Sequence, residues 1–137
     1  MVKDVEIVDF AALHGVFSIA RRFEPELEAF LVAESMRPVQ AQARFTVLPN
    51  YSFSDTPAMD AFLIPGGFGK RQELHNRNLH DVIRALPAET LLTSVCTGSY
   101  IYGVMDLLDG LPATNCKEPD KVEAEAYDLY RDDIEVS

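Results

Sequence analysis

Along residues 9–23, DFAALHGVFSIARRF, the apolar positions Phe10, Leu13, Phe17 and Ala20 recur at intervals of three and four, and Val16 widens the stripe. That spacing predicts an amphipathic helix. AFLVAES at 29–35 and ARFTVLP at 43–49 predict short strands, separated by a stretch that holds Pro38. NYSFSDTP after them is a cluster of turn formers. The four apolar residues AFLI at 61–64 stop abruptly at Pro65-Gly66-Gly67, which suits a buried parallel strand ending in a tight turn. NLHDVIRAL then predicts a helix with Asn78 as N-cap and Val82, Ile83 and Leu86 as its packed face. TLLTSV at 90–95 predicts a second buried strand. TGSYIYGVMDLLDG predicts a helix with Ile101, Val104 and Leu108 on one face and Gly110 as its stop, followed by a short strand and an acidic helix.

Strands alternating with helices in this order predict an α/β domain with a mainly parallel sheet and helices on both faces. In such sheets ligands bind near the carboxyl ends of the strands, so Gly66-Gly67 and Cys96 are expected at one edge. No repeat, low-complexity tract or linker divides the 137 residues, which predicts a single domain over 1–137.

Charge removes several function classes. Twenty-two acids against twelve bases give a formal charge of −10, which argues against nucleic acid or an anionic membrane surface as a partner. The acids thicken in KEPDKVEAEAYDLYRDDIEVS, read as a solvated helix face or a frayed tail. No apolar run approaches the roughly 20 residues that span a bilayer, and MVKDVEIVDF lacks the features of a signal peptide. The two cysteines, Cys96 and Cys116, form no C-x-x-C, and the three histidines are scattered, so no metal-ligand cluster is expected. A soluble, cytoplasmic protein with free thiols follows as the expectation.

The chemistry concentrates at S-V-C-T-G, where Cys96 sits between the strand TLLTSV and the following helix. A strand-to-helix turn pushes a side chain out of the sheet and turns neighbouring amides toward it, as in the G-x-S-x-G turn of hydrolases. Amides and dipole at a helix start favour a thiolate over a thiol. Cysteine is also among the residues most often buried, and local pattern alone leaves a core thiol and a nucleophile equally open. Gly67, at the same edge, can turn its N–H toward a bound oxygen, as can Thr97, and two such donors make an oxyanion hole. Asp9, just before FAALHGVF, is read from the residues alone as a helix N-cap.

IPGGFG, followed some thirty residues later by TSVCTGSYIYGVMDLLDGLPATN, resembles the ThiJ/PfpI superfamily of class I glutamine amidotransferase-like proteins. VEIVDFAALHGVF and SFSDTPAMDAFLIPGG resemble two further segments of that family, in the same order. The C-T-G turn resembles the isocyanide hydratase-like branch, because protease-like members place a histidine where Thr97 stands. The resemblance implies a flavodoxin-like three-layer α/β/α sandwich, incomplete here through lack of the usual first strand and of the C-terminal strand and helix. It implies Cys96 as nucleophile, Asp9 as acid/base, and Gly66, Gly67 and Thr97 as the oxyanion and substrate-binding turn. It further implies a lyase or hydrolase for a small molecule, with no cofactor, in a homodimer. Cys116 stands where the family strand has a histidine. The same fold leaves open a ligand-sensing regulatory domain, a thiol redox sensor, glyoxalase or deglycase activity, or an inactive fragment.

Overall fold

The structure, a computed structural model, describes residues 3–67 and 73–113. Cys116 and the acidic helix expected over 117–137 lie outside the described residues. Helix α1 (Ile7–Ala20) is followed by β1 (Val32–Ala33), β2 (Val39–Gln40), β3 (Thr46–Val47), β4 (Tyr51–Ser52) and β5 (Ala61–Ile64). Next come α2 (Arg77–Ala85), β6 (Leu91–Ser94), a 3-10 turn over Cys96–Gly98, and α3 (Ser99–Val104).

β5 and β6 pair in parallel, in register from Ala61 opposite Leu91 to Ile64 opposite Ser94. β1 pairs in parallel with β4, and β2 with β3 in an antiparallel hairpin. The β5–β6 pair carries the larger core: Phe62 and Ile64 pack with Leu79 and Ile83 of α2 and with Ile101 and Tyr102 of α3. Burial of a side chain such as Ile101, 2% exposed, is worth roughly 1.5–3 kcal/mol. Tyr102 ties this core to the sheet, since its hydroxyl donates to the carbonyls of Phe62 (3.3 Å) and Thr93 (3.1 Å). Burial holds that hydroxyl's pKa well above its ordinary value. A smaller cluster joins Val5, Phe10 and Ala41.

Four expectations are corrected. The N-cap of α2 is Asn76, whose side chain accepts from the Leu79 amide; Asn78 lies inside the first turn and donates to Glu34 instead. The turn-former cluster at 50–57 contains β4. The helix after Cys96 stops at Val104 rather than near Gly110, and Asp106 takes a φ of 61°, which a continuing helix does not allow. In α1 the apolar residues recur as expected, yet only Phe10 is buried, while Val8, Val16 and Ile19 are more than half exposed. No helix of the described residues is long and apolar enough to cross a membrane.

Candidate active site

Three chain segments meet at the carboxyl ends of β5 and β6. After Ile64 the chain turns through Pro65-Gly66-Gly67, and after Ser94 it turns through Val95-Cys96-Thr97-Gly98. The second turn rests on the first: the Val95 amide donates to the Ile64 carbonyl at 3.0 Å, and the Gly98 amide donates back to Val95 at 2.9 Å. A Cβ at Gly98 would collide with the carbonyl oxygen of Ile64, so only glycine lets the turn lie so close to β5.

Cys96 has φ of 52°, in the left-handed region. A residue with a Cβ meets a steric penalty there, of order 1 kcal/mol or more, and such positions cluster at functional sites. The conformation lifts the thiol-bearing side chain out of the strand line, and Cys96 is half-buried, not enclosed in the core. Thr97 beside it is buried, at 9% exposure.

The third segment is the start of α1. Asp9 lies within the first turn, and the N-cap position belongs to Glu6, which makes no side-chain cap. The capping alternative for Asp9 therefore falls. Its Oδ2 instead accepts from the Gly66 amide at 2.8 Å, across 57 residues of sequence. The approach of this segment is fixed by an antiparallel bridge between Val5 and Gly67 and by the Glu6 amide donating to the Gly66 carbonyl at 3.0 Å. Gly67 has φ of 126°, and a Cβ on it would lie 2.5 Å from the Asp4 carbonyl oxygen. Both its backbone conformation and its packing thus demand glycine.

Gly66 marks the centre of the constellation. A methyl group there would lie 2.9 Å from Asp9 Oδ2, 3.0 Å from Cys96 Cβ and 3.0 Å from Thr97 Oγ1. Carboxylate, thiol-bearing carbon and hydroxyl therefore surround one empty methyl-sized point. All five residues singled out in the sequence come together here. The Gly67 amide donates to Thr97 Oγ1 at 3.3 Å, so it is engaged by a long hydrogen bond, and the Gly66 amide is committed to Asp9. Sequence reasoning missed two contributors: Gly98, whose role depends on the distance to β5, and the Asp4–Glu6 segment that bridges Gly67. Gly98 carried a signal in being the third residue of C-T-G; the segment carried none.

No family model matches the chain. An isonitrile hydratase of Pseudomonas putida is 34% identical over 91 residues, which are 66% of this chain and 40% of that protein. The chain thus spans less than half the length of this curated relative. A ThiJ/PfpI family protein from Pseudomonas syringae superposes with a TM-score of 0.72 at 26% identity, covering 84% of this chain and 47% of that one. Schizosaccharomyces pombe DJ-1 superposes with a TM-score of 0.71 at 16% identity, covering 99% and 79%. The fold is accordingly flavodoxin-like α/β, in partial form.

Proposed function

We propose that the chain is a member of the ThiJ/PfpI superfamily and a single-domain, cysteine-dependent enzyme of the isocyanide hydratase kind. The observation that carries the reading is the convergence of Asp9, Cys96 and Thr97 on the point that a Cβ of Gly66 would occupy. The relative that is 34% identical is an isonitrile hydratase, and isocyanide is the same functional group.

In the proposed reaction the Cys96 thiol gives up its proton to Asp9 as the sulfur adds to the terminal carbon of R–N≡C, and Asp9 passes that proton to the same carbon to leave a thioimidate. Water then adds to the same carbon, and its proton passes through Asp9 to the nitrogen. Finally the hydroxyl gives its proton to Asp9 as the C–S bond breaks, and Asp9 hands it to the departing sulfur, which releases the N-formamide and restores the thiol. One water is consumed per turnover. The Gly67 and Thr97 amides hold the negative charge that develops on nitrogen and oxygen. A 3.3 Å bond from the Gly67 amide to a neutral hydroxyl is weak enough to be exchanged for a charged atom.

The uncovered side of α1, with Val8, Val16 and Ile19 exposed, supports a homodimer through that helix. A reducing cytoplasm keeps Cys96 a thiol. The deciding experiment is turnover of aliphatic and aromatic isocyanides by the full chain, followed as N-formamide by NMR. Formamide production that vanishes in Cys96→Ala is expected. A folded wild-type chain without turnover, or turnover that survives Cys96→Ala, overturns the reading.

A further inference from the structure

A concave feature lies apart from the thiol. A cleft of about 300 Å³ opens just after β1, walled by Lys3, Glu34, Arg37, Gln40 and Glu73 among others. That volume is at the lower end of small-ligand sites, and the carboxyl end of a strand is where α/β folds place them. None of Asp9, Gly66, Gly67, Cys96 and Thr97 lines it.

The arrangement of its charges is informative. Glu34 accepts from the Asn78 side-chain amide at 2.6 Å, and Glu73 accepts from that of Asn76 at 2.5 Å. Both carboxylates are therefore oriented by neutral groups at the start of α2. Lys3 and Arg37 share the same cleft, and among the described residues no ion pair joins either of them to these carboxylates. Two cations and two oriented anions thus line one cleft without neutralising each other. A ligand carrying both charges would satisfy both sets.

The cleft also shares a wall with the thiol site. Residues 3–6 run between them: on the cleft side the Asp4 amide donates to the Gln40 carbonyl at 2.8 Å, and the Gln42 amide donates to the Val5 carbonyl at 3.0 Å. On the other side Val5 bridges Gly67 and the Glu6 amide donates to Gly66. Asp9 follows within one helical turn. Val5 is fully buried, so the segment cannot shift on one side without moving its contacts on the other.

We propose that this cleft binds a small zwitterion of the α-amino-acid type, ammonium toward Glu34 and Glu73 and carboxylate toward Arg37 and Lys3. Occupancy is transmitted through residues 3–6 to the environment of Cys96. Isothermal titration of the full chain with glycine, alanine and leucine tests the site, with the N-acetyl and methyl ester forms of each as probes lacking one charge. The free amino acids are expected to bind, and each blocked form to bind at least about tenfold more weakly. Arg37→Met and Glu34→Gln, both at exposed positions, are expected to weaken binding by a similar factor. A saturating amino acid is expected to change the rate of Cys96 alkylation by iodoacetamide at least about twofold in the wild type and not in Arg37→Met. No heat at millimolar amino acid, or blocked forms that bind as well as free ones, overturns the site. An alkylation rate unmoved by saturating ligand overturns the coupling. Neither readout needs turnover, so failure of the hydratase reading would not be mistaken for failure of this one.

Discussion

The Asp9 carboxylate is held by the Gly66 amide at 2.8 Å, a bond that joins the first turn of α1 to the turn after β5. A charge-assisted bond of this kind fixes the carboxylate's position whether or not substrate is present. Asp9→Asn keeps an oxygen that the Gly66 amide can reach but loses the proton shuttle. On the proposed mechanism, turnover falls by about 10²- to 10⁴-fold, while thermal unfolding shows a chain destabilised by only about 1 kcal/mol. Equal loss of turnover and of folded protein would assign Asp9 to structure alone.

Three glycines are expected to respond differently to one methyl group. Gly15 has nothing within 4 Å, and Gly15→Ala should stabilise the helix by about 0.5–1 kcal/mol. Gly66→Ala presses on Asp9 Oδ2 and Cys96 Cβ, and overpacking of that size costs about 1–3 kcal/mol. Gly98→Ala meets the Ile64 carbonyl, backbone that cannot move aside, and should cost more still. Urea denaturation of the three variants gives the order directly.

Thr97→Val removes the acceptor of the Gly67 amide and leaves that N–H unpaired in a partly buried turn. The expected loss is about 1–3 kcal/mol. Thr97→Ser, which keeps the hydroxyl, should recover most of it. If valine and serine variants melt together, the 3.3 Å bond contributes nothing measurable.

His80 gives the fold a defined response to acid. Its pKa is held below the ordinary value, first by burial and then by the nearby Arg84, with His75 acting in the same direction; a bond to the Leu74 backbone and the Asp81 charge oppose them. Its Nε2 is buried without a partner among the described residues. Above a pH of about 6.5 the imidazole is neutral in both folded and unfolded chains. As pH falls through that value, the unfolded chain binds a proton that the folded His80 resists, so stability declines until the folded value is passed. The melting temperature should therefore drop between pH 7 and 5 by more in the wild type than in His80→Leu.

The site was legible because its two turns are announced locally: four apolar residues cut off by Gly66-Gly67, and the strand TLLTSV ending at Cys96-Thr97-Gly98. The role of Asp9 was not, since a first-turn acid serves as cap or as ligand, and its partner lies 57 residues away. Asn76 and Asn78 are equally good caps in sequence; only the position of the Leu79 amide separates them. The two-residue strands β2 and β4 have no period to read and exist through their pairing with β3 and β1. Periodicity gave α1 as a helix but could not say which of its apolar residues would find neighbours.

The Val5–Gly67 bridge has a kinetic consequence. Asp9 reaches Gly66 only after a long loop closes, and Gly67 reaches Thr97 across a further 30 residues. Loop closure of that span is slow relative to the formation of α1 or of the turn at Cys96. The thiol's surroundings should thus be completed among the last events of folding, and the time course of Cys96 alkylation after dilution from denaturant would report when the two ends of the described chain have met.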